Sequence, residues 1–543
     1  VTGLNAAQVG IRTTQHNIAN VNTTGYRRQE VNYSANPAQF TGGGYLGTGV
    51  TMDTVRRVYS QFLDNEVLQD QALLSRYETY TAQATQIDKM LGDSGSGLSS
   101  ALDAFFNAAN ELSSDPTSNA ARQNFMSAGR NLAARVTSLD SKLREMREQG
   151  NKDIITLTER VNVLAAQVAS LNNTIARDEA MNGRPANDLR DQRDVLVAEI
   201  NKLVNVSQLQ QPDGSLNLYI GSGQGLVVGT KAYEMTTALD PDDPSLRLPA
   251  LDVGGATLIL SSELVNGGEL GGILAMREEI LQPALNDLNR IAIGISIEVN
   301  AIHRNGLQYD ATTAGGDFFT PAVSQQAGAT GWIRLGESTS GASILPYNYT
   351  ASWDGAQFTV TRSDGAGPVV VNPGDEVVIG GVAQGFSLYP NPGEPDASFA
   401  AGAGSTWDLN FENYSRTMRM TLTSTLEVAA AGPAATGPGD ASNALYLAQL
   451  RNSSILNNGT VSFSEAFSET IARTASRAAE ADMSRGAYSA LVEQATASQL
   501  EVSGVNLDEE AVNLIKFQQA YQASARAIQV ASSLFDEVIG ILR

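Results

Sequence analysis

The 543-residue chain has no cysteine. Disulfides, thiolate nucleophiles and thiolate metal sites are excluded together. Histidine is nearly as scarce: only His16 and His303 occur, and neither has a metal-ligand partner at helical or strand spacing. Both read as surface or packed structural side chains, because a catalytic triad or a zinc site needs companions that are missing. No HExxH, GxSxG or Walker-type loop is present. Gly42–Gly49 and Gly221–Gly229 are glycine-rich but do not run into a helix as a phosphate cradle must, so they read as turns or bulges. Asp240-Pro241-Asp242-Asp243-Pro244 reads as a solvated loop and not as a calcium site. The expectation is a chain with no catalytic, cofactor-binding or metal residues, and not an enzyme. No stretch approaches the roughly 18 apolar residues of a membrane helix. The opening Val1-Thr2-Gly3-Leu4-Asn5 lacks the pattern of a cleaved signal peptide, and the missing initiator Met points to a trimmed start.

Basic residues number 36 against 58 acidic, a formal net charge of −22. Such a surface repels phosphate backbones and anionic lipid, which argues against nucleic-acid and membrane partners. The length implies about three domains.

What is present is helical periodicity. Leu507, Leu514, Tyr521, Ile528, Phe535 and Leu542 recur every seventh residue, and Phe517, Ala531 and Val538 widen the stripe, with Ser524 as its gap. At the other end, Leu4, Ile11 and Ile18 repeat the same spacing over 1–20. Seven-residue repeats bury a narrow seam against other helices. The C-terminal seam reads as a partner-seeking assembly interface and the N-terminal row as its companion. Asn506 is placed to cap the last helix, with Glu509 three residues on as in a capping box and Asp508 complementing the helix dipole. Further helices are expected at 59–91, 98–112, 117–149, 153–178, 187–204, 270–304, 441–457 and 463–500. The seam Ile154, Leu157, Val161, Leu164, Val168, Leu171, Ile175 is expected to pack inside the protein, and Arg193 to pair with a nearby acid. Residues 27–58, 206–260 and 306–425 are β-like, with a hairpin at Gln211-Pro212-Asp213-Gly214.

The fold class is therefore multidomain α + β: an elongated helical bundle or coiled coil formed by both chain termini, with mainly-β domains inserted in the middle. The expected division is 1–58 (axial helix and extended segment), 59–204 (helical rod), 205–265 (β insert), 266–305 (long rod helix), 306–430 (outer β domain), 431–502 (returning rod) and 503–543 (C-terminal heptad helix).

Two segments resemble a known family. Asn17-Ile18-Ala19-Asn20-Val21-Asn22-Thr23-Thr24-Gly25-Tyr26 is similar to the N-terminal signature of flagellar rod, hook and hook-associated proteins. Ser503-Gly504-Val505-Asn506-Leu507-Asp508-Glu509-Glu510 with Phe517-Gln518-Gln519-Ala520-Tyr521-Gln522-Ala523 is similar to their C-terminal signature. Asn187–Asp194, 271–306 and Gly439–Leu445 narrow the resemblance to the hook-associated protein 1 family. The resemblance covers about the first 310 and last 110 residues. It implies an extracellular structural adaptor of the hook–filament junction, secreted through the flagellar type III route without a cleaved leader. The implied partners are further copies in a tubular ring, the hook protein, a second hook-associated protein, and an export chaperone on the C-terminal helix. A hook or distal-rod subunit is the alternative within the class. An enzyme with its site in 306–425 is the alternative outside it.

Overall fold

The computed structural model describes the chain except residues 41, 94–96, 222, 242, 331–332, 338–344, 346, 391–400, 457–459 and 542–543, with backbone alone at 334–337 and 541. Two compact units form: Val1–Thr81 with Gly150–Ala275 and Ala481–Arg543, and Ala82–Gln149 with Met276–Glu480. The helices are α1 (Thr2–Ala19), α2 (Gln61–Leu91), α3 (Leu98–Ser114), α4 (Asn119–Asn182), α5 (Asn187–Leu203), α6 (Gly268–Met276), α7 (Gln282–Asn305), α8 (Tyr414–Thr417), α9 (Ser442–Gln449), α10 (Phe463–Ser503) and α11 (Leu507–Ile541).

In the first unit, β1 (Gln29–Ala35) pairs antiparallel with β4 (Val50–Arg57), and the short β2 (Gln39–Phe40) and β3 (Tyr45–Leu46) form a hairpin between them. Farther along lie a four-stranded sheet, β5 (Val206–Gln210), β6 (Leu216–Ile220), β7 (Gln224–Val228) and β8 (Lys231–Ala232), and a three-stranded sheet, β9 (Met235–Leu239), β10 (Arg247–Val253) and β11 (Ala256–Ile259). Gly214 adopts φ +84° in the expected β5–β6 hairpin turn, a conformation glycine enters without a Cβ penalty. The core joins Ile154, Leu157, Val161 and Val168 of α4 to Val197 and Ile200 of α5 and to the sheets. The α4 stripe drifts off the strict heptad, as a straight 3.6-residue helix must. Ala165 and Asn172 are fully buried, while Leu164 and Leu171 sit at the rim.

In the second unit a phenylalanine cluster (Phe105, Phe106, Phe125, Phe318, Phe319) joins α3 and α4 to the chain after α7. His303 is fully buried beside it. Its Nδ1 lies 2.7 Å from the Gly316 carbonyl, and its Nε2 accepts the Ala429 N–H at 3.0 Å, so the ring is the neutral Nδ1–H tautomer, a packed structural histidine. Two antiparallel sheets complete this unit. One is five-stranded: β12 (Val323–Gln325), β14 (Asn348–Trp353), β15 (Phe358–Arg362), β16 (Val369–Val371) and β19 (Thr406–Asn410). The other joins β13 (Arg334–Glu337), β17 (Glu376–Ile379) and β18 (Val382–Tyr389). Tyr349, Phe386 and Phe411 pack ring to ring at their interface.

Several local expectations are corrected. Residues 117–149 and 153–178 are one helix, because a single Gly150 costs only about 1 kcal/mol in a helix interior. The expected 270–304 helix contains a π turn at Arg277–Leu281, ending two residues before Pro283, which removes a helical N–H. The expected 441–457 helix tightens to a 3-10 turn after Gln449, where Ser453 Oγ bonds the Gln449 carbonyl; side-chain to backbone bonds of this kind compete with helix. Arg193 is buried and faces the expected acid, Asp194, at 4.0 Å, while its hydrogen bonds go to neutral oxygens: the Asn172 amide oxygen at 3.0 Å and the Gly214 carbonyl at 2.8 Å. Burial lowers the Arg193 pKa to about 10.

Candidate assembly site

α1 and α11 run antiparallel. A β-carbon on Gly3 would lie 3.2 Å from Ser524 Oγ, and one on Gly10 would lie 2.7 Å from the Phe517 ring. One heptad further along, Asn17 Nδ2 donates to Glu510 Oε1 at 3.1 Å. Each step of seven down α11 thus meets a step of seven up α1. The face of α1 that is buried is made of small and polar residues: Ala6, Ala7, Gly10, Thr14 and Asn17. Leu4, Ile11 and Ile18, the expected contact row, are half-buried on its flank. Close approach of two helix backbones requires the small row to face the partner, and it displaces the large row to the edge.

On α11, Leu514 and Phe517 are half-buried, and Tyr521 and Ile528 are about one-third exposed. Leu507, Phe535 and Val538 are exposed at 51%, 66% and 54%. Leu542 lies outside the described residues. From Arg526 to Gly540 every side chain is exposed, including Val530, Leu534 and Ile539.

The base of this helix pair is a polar knot, and its centre is Asn17, 1% exposed. Besides Glu510, its Nδ2 donates to the Gln29 carbonyl (2.9 Å). Its Oδ1 accepts the Gln29 N–H (3.0 Å) and the Tyr26 hydroxyl (2.7 Å). Tyr26 Oη also lies 3.1 Å from His16 Nδ1. Burial, then the carboxylates Asp188, Asp191 and Glu510, push the Tyr26 pKa well up, so its hydroxyl stays a donor. Gly25 carries the turn at φ +78°, and any β-carbon there would collide with a Val195 methyl. Asn20 bonds the His16 carbonyl and accepts from Thr23 Oγ1. Ala19 and Asn22 are exposed. At the start of α11, the Asn506 side chain accepts the Asp508 and Glu509 N–H groups. The Glu509 carboxylate turns to Arg28 at 2.6 Å, so the N-cap forms while the expected reciprocal arm goes to an ion pair. Asp508 is exposed.

A second layer fastens the knot to the helices beneath. Arg27 pairs with Asp64 (2.6 Å), and Arg57 with Asp191 (2.6 Å) and Asp194 (2.8 Å). The Arg27 N–H donates to Asp191, Gln29 Nε2 to Asp188, and Gln499 Nε2 to Asp64. Burial raises the pKa of Asp64 and of Asp191 against the opposing pull of their arginines. Burial, followed by Asp64 and Asp194, pushes Tyr59 up to about 12. Glu510 and Gln29 were not among the expected site residues. The signal available for Glu510 was an acid in heptad register with Phe517; nothing in its sequence context marked Gln29. Beside the knot, a cleft of about 560 Å³ opens between the 20–26 turn and α5. Among the described residues no three His, Asp or Glu side chains converge as metal ligands, and no helix is long and apolar enough to cross a membrane.

The three segments that meet here, 17–29, 187–194 and 499–510, contain the Asn17–Tyr26 signature, the Asn187–Asp194 stretch and the Ser503–Glu510 part of the C-terminal signature. The family model described as the flagellar hook-associated protein FlgK helical domain matches residues 84–319. The model described as the flagellar basal body rod FlgEFG protein C-terminal matches 497–541. Paired terminal helices with a basal-body-rod C-terminal segment define a structural protein of the bacterial flagellum. Flagellar hook-associated protein 1 of Escherichia coli (strain K12) is 32% identical, with 100% of this chain and 98% of that protein aligned. The Bacillus subtilis (strain 168) protein of the same description is 26% identical over 99% and 96%. The solved flagellar hook junction protein FlgK from Burkholderia pseudomallei shares the fold, with a TM-score of 0.62 and 23% identity over 81% of this chain and 100% of that one. The chain belongs to the flagellar hook-associated protein 1 family, the structural proteins of the hook–filament junction.

Proposed function

We propose that this chain is a self-assembling adaptor without catalytic activity, and that the α1–α11 pair is its assembly element. Copies associate side by side in a tubular ring through their terminal helices, with hook subunits below and a second hook-associated protein above. A chaperone shields α11 before assembly. Neither nucleic acid nor membrane is a partner. The observation that carries this reading is the uncovered apolar surface of α11, where Val530, Leu534, Phe535 and Val538 are each more than half exposed; apolar patches of this kind mark association sites. The test is co-sedimentation with purified hook fragments, comparing the full chain with one cut after Gly504. Binding by the full chain alone is the expected result. Equal binding by both would move the hook contact off α11.

A further inference from the structure

The cleft beside the knot combines an apolar floor with free acceptors at its mouth. Leu171, Val195 and Leu196 line it, together with Thr23, Thr24, Gln192 and Asp188. Asp188 is the charged group there with capacity to spare. Its side chain is 61% exposed; Oδ1 accepts from Gln29, while Oδ2 faces His16 Nε2 at 3.8 Å, beyond hydrogen-bond reach. Asp191, the other acid of the cleft, is already held by Arg57. An apolar floor with a carboxylate and neutral oxygens at the rim suits a long cationic side chain, which lays its methylene stem on the floor and its head among the acceptors.

In this acidic chain such cations are in the minority. α11, the element with the exposed apolar surface, carries two: Lys516 and Arg526. Both are exposed, and neither side chain has a partner among the described residues. Several acceptors spread around one carboxylate match the fork of donors on a guanidinium better than the point charge of an ammonium. We infer that the cleft is a docking site for Arg526 of a second copy of this chain, which pairs with Asp188. The contact is heterologous: each copy offers a cleft to one neighbour and an arginine to another, as an open or ring-closed array requires. This inference rests on the assembly reading above and names one contact within it.

The test uses full-length protein on purified hook fragments. Asp188→Arg and Arg526→Asp should each lower co-sedimentation about tenfold or more, the scale of a desolvated interfacial charge pair; monomer melting should stay unchanged for Arg526→Asp, whereas Asp188→Arg also removes the Gln29 acceptor, so its reading rests on the mixture. Mixing the two variants in equal amounts should restore it, because each cleft then meets a complementary helix only on a different molecule. Binding by Asp188→Arg at the wild-type level, or a mixture as inactive as its components, would overturn the pairing. Restoration by Lys516→Asp in place of Arg526→Asp would overturn the choice of arginine. Failure of the wild-type chain itself to bind would remove the assembly reading, and the pair with it.

Discussion

Asn17→Ala tests the knot most directly. The native amide makes four hydrogen bonds, at 2.7, 2.9, 3.0 and 3.1 Å, in a place almost closed to water. Alanine leaves the Gln29 N–H, the Gln29 carbonyl and the Glu510 carboxylate without these partners, while Tyr26 keeps His16. A buried polar group left unpaired costs about 1–3 kcal/mol, and a charged one more. Entry of a water into the vacated space offsets part of this. The expected loss is therefore about 3–5 kcal/mol in the unit that holds both termini. At about 2–4 °C per kcal/mol for a domain of this size, its melting transition should fall by roughly 6–20 °C, while the transition of the other unit stays in place. Differential scanning calorimetry of the full chain separates the two. A loss under about 1 kcal/mol would refute the assignment of Asn17 as the centre of the knot. Asn17→Asp sharpens the test. It keeps the oxygen that accepts from Gln29 and Tyr26 but sets a second carboxylate against Glu510. It should destabilise at least as much as alanine at neutral pH and recover as the pH falls and one carboxyl is protonated.

Gly10→Ala should cost about 1–3 kcal/mol, because the Phe517 ring has to move away from the new methyl. Pairing it with Phe517→Leu should return part of that loss, and equal melting of the single and double variants would refute the contact. For His303, burial first, with Arg304 and Arg122 adding to it, lowers the pKa from 6.5 to about 4. The unfolded chain takes up the proton first on acidification, so this contribution is complete above pH 6.5 and is lost as the pH falls toward 4. At about 1.4 kcal/mol per pH unit the total is roughly 3 kcal/mol. The Hε1 resonance of His303 should stay constant from pH 8 to pH 5, and an inflection near pH 6.5 would contradict the burial argument.

The heptads made the terminal helices and the α4 core legible, since periodicity reports which face of a helix is apolar. Periodicity does not report which row touches which partner. At α1 the apolar row Leu4, Ile11, Ile18 is the conspicuous one, yet Gly3, Gly10 and Asn17, one position ahead of it, are the row in contact. Their informative property is small size, which hydropathy does not weigh. The polar knot was hidden for a different reason: Asn17, Asp191 and Glu510 are brought together across 493 residues of chain, and single-sequence patterns carry no such pairing. Arg193 shows the same limit. An acid partner was the expectation, but only the fold reveals that neutral oxygens of Asn172 and Gly214 accept its hydrogens.

The small-residue contact has an energetic consequence. Glycine and alanine bury little apolar area, so the α1–α11 contact returns little hydrophobic free energy per turn. An 18-residue helix such as α1 is only marginally stable alone. The order of the pair must then depend on its base, where Asn17, Tyr26, Arg27 and Gln29 meet Asp188, Asp191, Ser503 and Glu510. Bonds of this kind are directional and fail together when one member is lost. A change in any of the three segments, including Asp191 far from either terminus in sequence, should therefore loosen both terminal helices at once. Changes near Ser524 or Gly3, at the other end of the pair, should act only locally. This asymmetry gives the terminal helices a rooted end and an adaptable end, and the exposed apolar residues of α11 lie toward the adaptable one.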